Sequence, residues 1–171
     1  MRIFKCKRSL FRKILKGVSM WKQIFKATLI AGSLDITAAS IQAYLSKGLT
    51  PDIVLKFIAS GMFGKAAYSG EFKYMLFGLL VHFFIVLMCA ITYFHFYPKL
   101  GLLHKNILLS ALLVALIAWI VTTRIVIPLS KIQPSPLNFK GDFTAIAILF
   151  LCIGIPIVLI TKHFYANVSE T

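Results

Sequence analysis

Four long apolar runs, separated by short polar stretches, dominate the pattern of this chain. They cover residues 27–46, 74–96, 106–128 and 143–162. A helix needs about 20 mostly apolar residues to cross the roughly 30 Å of bilayer hydrocarbon, and each run is long enough. Backbone amides in hydrocarbon must be satisfied within their own segment, so each run is predicted to be a transmembrane helix.

A more polar fifth helix is predicted between the first two runs. A hydroxyl residue, a proline and an acid at positions 50 to 52 mark a helix start. The helical pattern continues over residues 51–68, although two glycines interrupt it. This segment is too polar to be predicted as a fifth span. Two placements are open: a helix lying flat at the outer surface, or a re-entrant helix beside a water-filled vestibule.

The overall composition places the chain in the membrane class. Hydrophobic residues make up 59% of its 171 residues, and the mean hydropathy is +0.86. Soluble domains are about half apolar. The predicted fold class is therefore all-α: a polytopic membrane protein with four transmembrane helices plus one interfacial or re-entrant helix. The bundle covers residues 27–162, between a basic amphipathic cytoplasmic segment at 1–26 and a cytoplasmic tail at 163–171.

The distribution of positive charge predicts the orientation. The net charge is +14, and nine of the nineteen basic residues precede the first run, with no acid among them. Such a block beside a span keeps the N-terminus cytoplasmic. Four spans then return the C-terminus to the same side, which predicts a multi-pass protein of the bacterial inner membrane with both termini inside.

The basic segment also carries an apolar stripe at helical spacing. We expect residues 2–26 to contact the anionic lipids of the inner leaflet. A nucleic-acid-binding arm is the rival interpretation, but the segment abuts a span, so no nucleic-acid partner is predicted. A plain orientation signal explains the charges nearly as well. The stripe consists of Phe4, Phe11, Ile14, Leu15, Val18, Trp21 and Phe25.

One face of the first run is built almost entirely from small residues. Small residues allow helices to approach closely inside a membrane. This face is therefore predicted to point into the bundle, and it takes Asp35 and Gln42 with it. The positions predicted to support close helix packing are Ala31, Gly32, Ala39, Gly61, Gly64 and Gly78.

Ionisable residues inside the apolar runs are the candidate functional positions. A charge within a span is costly, so it pairs or faces water. Asp35, His82 and Arg124 can meet in the outer half of a bundle, and Lys65 can join them if its segment re-enters. One interpretation is a polar pocket for an anionic or protonatable ligand, with Gln42 in its lining. The other is a structural pair between Asp35 and either His82 or Arg124.

No motif in the chain predicts a reaction. The sequence contains no metalloprotease or nucleophile-elbow motif, and its five acids leave few candidates for acid or base catalysis. Cys6, Cys89 and Cys152 lack the spacing of a disulfide framework or a metal site. We therefore predict no catalytic residue, no metal and no cofactor.

Several stretches resemble an uncharacterised family of small bacterial inner-membrane proteins with four spans. They are residues 31–35, residues 58–67, the Gly78-x-x-x-His82-Phe83 motif and the apolar run ending in Pro128-Leu129. A more distant likeness is to YagU-type proteins. The resemblance brings no reaction, substrate or cofactor. It implies that Asp35, Gly61, Gly64, Lys65 and His82 form one site or one packing core.

These observations favour small-solute or ion transport, or ligand binding, through a polar intramembrane pocket. The alternative is a structural or assembly subunit of a membrane complex. The sequence leaves open whether the chain forms a homo-oligomer or joins another membrane protein. A lipid-modifying enzyme is the least supported hypothesis, because no nucleophile motif is present.

Overall fold

The computed structural model describes residues 2–132 and 139–169, without the side chains of residues 2–18, 102, 105 and 168–169. Every regular element in these ranges is helical. The α-helices are α1 (Arg2–Lys47), α2 (Pro51–Phe63), α3 (Phe72–Phe96), α4 (Leu102–Lys105), α5 (Ile107–Ile120), α6 (Ile127–Leu129), α7 (Phe139–Leu149) and α8 (Ile155–Ser169). Two 3₁₀ turns, Gly64–Tyr68 and Tyr97–Lys99, and two π-helical turns, Val121–Val126 and Phe150–Gly154, join them.

Four of these helical segments are long and apolar enough to cross a membrane. They are the first span (Ser19–Lys47), the second (Phe72–Lys99), the third (Ile107–Leu129) and the fourth (Phe139–Asn167). The predicted fold class is confirmed, and it is compatible with a multi-pass membrane protein. Most of the helices extend past the predicted runs, because polar residues at their ends continue the helical backbone.

The first span ends where the chain turns toward α2. Gly48 adopts a positive φ of 66°, a conformation that favours glycine, and its amide donates to the Tyr44 carbonyl. The predicted start of the next helix is confirmed at Pro51. The Thr50 hydroxyl donates to the Asp52 carboxylate and Lys56 lies 2.9 Å from it, so both lower the pKa of Asp52.

The short helix α2 lies across the second span. A Cβ on Gly78 would sit 2.0 Å from the Leu55 carbonyl oxygen, so the missing side chain permits backbone contact. Farther along α2, the Phe63 ring packs edge-on against Tyr74 and Phe77, at centroid distances of 5.2 and 4.8 Å. These contacts join residues 55–63 of α2 to residues 74–78 of the second span, and they are compatible with both the flat and the re-entrant placement.

The best-packed part of the bundle lies away from α2, at the end where residues 19–26 lead into the first span. We call this the amino-terminal end of the bundle. Its fully buried side chains come from all four spans and include Ile24, Val86, Phe94, Ala111 and Ile157. We call the opposite end, where α2 lies, the short-helix end. Large apolar side chains on the outer faces, such as Leu29, Leu80 and Leu108, are exposed. Those faces match the surface that a membrane would cover.

Each π-helical turn sits just before a proline. In the third span the Ile127 amide donates to the Thr122 carbonyl, and Pro128 follows. In the fourth span the Ile155 amide donates to the Phe150 carbonyl, and Pro156 follows. Proline lacks an amide hydrogen and crowds the carbonyl four residues earlier, and a wider turn relieves that clash. This is how the structure accommodates Pro156 within the fourth span.

Candidate functional site

The structure brings Asp35 of the first span beside His82 of the second. The Asp35 Oδ2 atom lies 4.0 Å from His82 Nε2. Each residue is only 9% exposed. Of the two pairs that the sequence leaves open for Asp35, the structure therefore shows the one with His82.

His82 makes its close hydrogen bond elsewhere. Its Nε2 atom lies 3.0 Å from the Gly32 carbonyl oxygen. A carbonyl only accepts hydrogen bonds, so this nitrogen carries the proton and donates to Gly32. The next residue, Phe83, packs onto Gly32, where a Cβ would lie 2.6 Å from the ring atom Cε1. Gly32 thus holds the first two spans together: its missing side chain leaves space for Phe83, and its carbonyl oxygen accepts the hydrogen bond from His82.

The Asp35 carboxylate is left with little compensation for its burial. Within the described part of the chain, no side chain or amide donates a hydrogen bond to it, and His82 Nε2 at 4.0 Å is beyond hydrogen-bonding distance. A buried carboxylate without donors is unfavourable while it is charged. A proton, a cation, water or a polar ligand at the carboxylate would offset this cost.

A cleft lies about one helical turn from this carboxylate. It has a volume of about 500 Å³ and lies between the first and fourth spans in the short-helix half. Ala38, the lining residue nearest to Asp35 in the sequence, lies about one helical turn beyond it, and Asp35 itself does not line the cleft. The remaining lining residues are Ile41, Gln42, Leu45, Ser46, Thr144 and Ile148.

The fourth span brings its π-helical turn to the level of Asp35. The two spans run in opposite directions, and Thr144 and Ile148 face the stretch from Ala38 to Ser46. One further turn along each helix aligns residues 151–152 with Asp35. The Cys152 thiol lies within electrostatic range of the Asp35 carboxylate, which agrees with this register. Sequence reasoning missed this element, although Pro156 was its signal.

The other candidate polar residues lie apart from the Asp35 carboxylate. Gln42 lines the cleft, and its Nε2 atom lies 3.4 Å from the Ser46 hydroxyl. Lys65 is exposed in the 3₁₀ turn after α2. Arg124 is exposed too, with Cζ 6.0 Å from the centroid of the Trp119 ring. Among the described residues, neither cation forms an ion pair with Asp35.

Arg124 therefore does not join the site as the sequence analysis expected. The third span turns a face of small residues, Ala111, Ala115 and Ala118, into the bundle. Arg124 lies in the π-helical turn that follows these residues, and its side chain is exposed. The arginine consequently points away from that buried face.

Most of the predicted packing positions lie at close helix contacts. Ala31 is fully buried, whereas Ala39 is half-buried. Gly32 and Gly78 make the approaches already described. The other two glycines of the set, Gly61 and Gly64, lie against the segment after the third span: the Gly61 carbonyl accepts from the Lys131 amide at 2.9 Å, and a Cβ on Gly64 would lie 3.5 Å from Lys131 Cδ.

Gly154 is a packing residue that sequence reasoning missed. A Cβ there would lie 2.4 Å from the Ala111 carbonyl oxygen. The contact joins the fourth span to the third at the same π-helical turn that reaches the level of Asp35. In the described ranges, no three His, Cys, Asp or Glu side chains are grouped as they would be around a metal ion.

Comparison with protein-family models, curated proteins and solved structures found no match to this chain. The family resemblance inferred above therefore rests on sequence motifs alone. The function has to be argued from the geometry around Asp35.

Proposed function

We propose that this chain is an integral membrane protein that binds and transports an ion or a small solute at Asp35. The observation that carries the proposal is the environment of that carboxylate. It is nine-tenths buried, it receives no hydrogen bond from the described residues, and it lies about one helical turn from a cleft between the first and fourth spans. Intramembrane carboxylates of this kind mark ion pathways and proton relays.

The two sides of the carboxylate have different proposed roles: one holds two spans together, and the other gives a ligand access. On one side, His82 is held to the Gly32 carbonyl and keeps the first two spans in register. On the other side, the cleft separates the first and fourth spans toward the short-helix end. A ligand can then enter along Gln42 and Ser46 without breaking the His82 contact. Movement of the fourth span against the first would open and close this path.

The charge distribution supports an orientation with both termini in the cytoplasm of a bacterial cell. At the amino-terminal end, Lys22, Lys26, Lys99 and Lys162 are accompanied by no acid among the described residues. The described acids other than Asp35 all lie at the short-helix end: Asp52, Glu71 and Asp142. The positive-inside rule counts Lys and Arg, and twelve of the nineteen basic residues lie at the amino-terminal end against seven toward the short-helix end. This bias supports contact between the basic segment 2–26 and anionic inner-leaflet lipids.

Water access along the cleft tests the proposal. Single cysteines are introduced as Asp35→Cys and Gln42→Cys after the three native cysteines are replaced by serine. Sealed membrane vesicles of both orientations are treated with a membrane-impermeant thiol reagent. We expect labelling at both positions from the short-helix side, because the cleft admits water.

Leu34→Cys is the matched control, since Leu34 lies at the same depth but is exposed on the outer face of the helix. It is expected to stay unlabelled. If folded protein is unlabelled at positions 35 and 42, water does not reach this region and its residues only pack the helices together. That outcome overturns the proposal and favours the structural or assembly subunit.

A further inference from the structure

A second groove runs along the first span at the amino-terminal end of the bundle. It has a volume of about 700 Å³ and shares no lining residue with the cleft near Asp35. Its side chains form two rows at a spacing of four residues, and such rows are neighbouring ridges on a helix surface. One row consists of Trp21, Phe25 and Leu29, and the other of Lys22, Lys26 and Ile30.

The groove faces away from the bundle. On the opposite side of the same stretch of helix, Ile24, Ala27 and Ala31 are buried against the other spans. All six residues of the two rows are exposed. In a membrane-spanning helix, a face turned away from the protein is covered by lipid.

The lining of the groove changes from charged to apolar over a short distance. Lys22 and Ile30 are eight residues apart, which is about 12 Å along the helix. Lys22 and Lys26 lie one turn apart, and neither forms an ion pair with a side chain in the described part of the chain. The next turn offers only Leu29 and Ile30. A phospholipid has the same order of groups, with a charged phosphate followed by apolar acyl chains.

We propose that this groove binds one anionic phospholipid. The lipid phosphate lies between the ammonium groups of Lys22 and Lys26, and an acyl chain runs along Phe25 and Leu29. Trp21 lies at the headgroup level, where tryptophan rings are enriched. Basic pockets on the cytoplasmic side of membrane helices bind anionic headgroups in this way.

The inference rests on the proposed function for its orientation, because it names the site at which the basic segment holds an inner-leaflet lipid. It does not depend on transport at Asp35. The two proposals concern opposite ends and different faces of the first span, so each can fail alone.

Charge argues against a second copy of the chain as the occupant. Two copies related by a twofold axis along the membrane normal have the same orientation. Packing them through this groove would bring Lys22 and Lys26 of both chains to the same level. Like charges brought together disfavour such a contact, whereas a lipid phosphate neutralises them.

Quenching of Trp21 fluorescence by brominated lipids tests the inference. The chain has two tryptophans, so Trp119→Phe leaves Trp21 as the reporter. Trp119 Nε1 has no hydrogen-bond partner among the described residues, so this change removes no hydrogen bond. The purified full-length protein is reconstituted in mixed vesicles of phosphatidylglycerol and phosphatidylcholine, with one or the other lipid brominated. The two sets of quenching curves give the ratio of binding constants at Trp21.

We expect phosphatidylglycerol to bind at Trp21 about fivefold more tightly than phosphatidylcholine or better, and Lys22→Gln/Lys26→Gln to abolish most of this preference. Lys22→Arg/Lys26→Arg keeps both charges and should keep the ratio. Lys99→Gln/Lys162→Gln is the matched control, because it removes two exposed lysines from the same end of the bundle. It should change the ratio by less than about twofold, since their charges act on the groove only through the screened surface potential.

Three outcomes would overturn the inference. One is a ratio near one in the single-tryptophan protein, which needs no lysine variant. Another is an equal fall in the two glutamine double variants, which would show that diffuse surface charge attracts the lipid. The third is no quenching by either lipid, which would mean that protein covers the groove. Thiol labelling at positions 35 and 42 would still uphold the proposed function in each case, so the two failures are distinguishable.

Discussion

The third and fourth spans contain the same local device in opposite surroundings. Each has a π-helical turn that ends two residues before a proline. The turn in the third span buries none of its residues and carries Arg124 on its exposed side. The turn in the fourth span buries Ile153 and Gly154, and it packs against both the first and third spans.

The difference shows that proline sets the geometry of each turn, whereas the neighbouring helices determine whether that turn is buried or exposed. Both turns lack one amide donor because each is followed by a proline, which has no backbone N–H. Only the fourth-span turn also has a glycine that admits a neighbouring backbone and a buried acid at its level. The following variants test how far the two sides of the bundle differ.

The largest effect is expected for Gly154→Ala. The new Cβ would lie 2.4 Å from the Ala111 carbonyl oxygen, and both atoms belong to packed helices. Overpacking of this kind costs about 1–3 kcal/mol. The free energy of unfolding, measured by denaturant titration in mixed micelles, should fall by that amount.

Gly101→Ala is the control for this substitution, because nothing lies within 4 Å of a Cβ there. It should leave stability nearly unchanged. Equal stability of the two variants would show that the fourth-span turn is not tightly packed against the third span, and the comparison between the turns would fail.

A smaller loss is expected for His82→Leu, on the side of Asp35 away from the fourth span. The substitution removes the 3.0 Å hydrogen bond to the Gly32 carbonyl. Hydrogen bonds between membrane helices contribute about 0.6 kcal/mol on average and at most about 1.7. The same titration should show a loss in this range.

His95→Leu, in the same helix, controls for the loss of an imidazole. His95 is exposed and contacts Lys99 at 2.7 Å, so the change should cost little. A His82 variant as stable as the His95 variant would mean that the Gly32 contact does not hold the first two spans together.

The smallest effect is expected for Arg124→Gln. The side chain is exposed and only approaches the Trp119 ring. Exposed substitutions usually change stability by less than about 0.5 kcal/mol. Stability and oligomeric state, the latter measured by chemical crosslinking in membranes, should both match the wild type. A loss of crosslinked species would instead show that this face contacts a partner, as an assembly subunit requires.

Much of the architecture follows from the sequence, for reasons local to each segment. Apolar runs of sufficient length become spans, and Pro51 with Asp52 starts the short helix. Asp35 is buried because it shares a helical face with small residues such as Ala31. Length, periodicity and capping depend on neighbours within one helix, so a single sequence is enough to show them.

The choice of neighbours across helices needed the tertiary structure. The sequence gives Asp35 two equally open partners, and only the packing shows His82 beside it and Arg124 on an exposed face. The cleft lies between residues of the first and fourth spans that are more than a hundred positions apart in the sequence. The Gly154 contact joins residues about forty positions apart. Which helical faces meet depends on how closely side chains and backbones of different spans fit together, and no property of one segment alone contains that information.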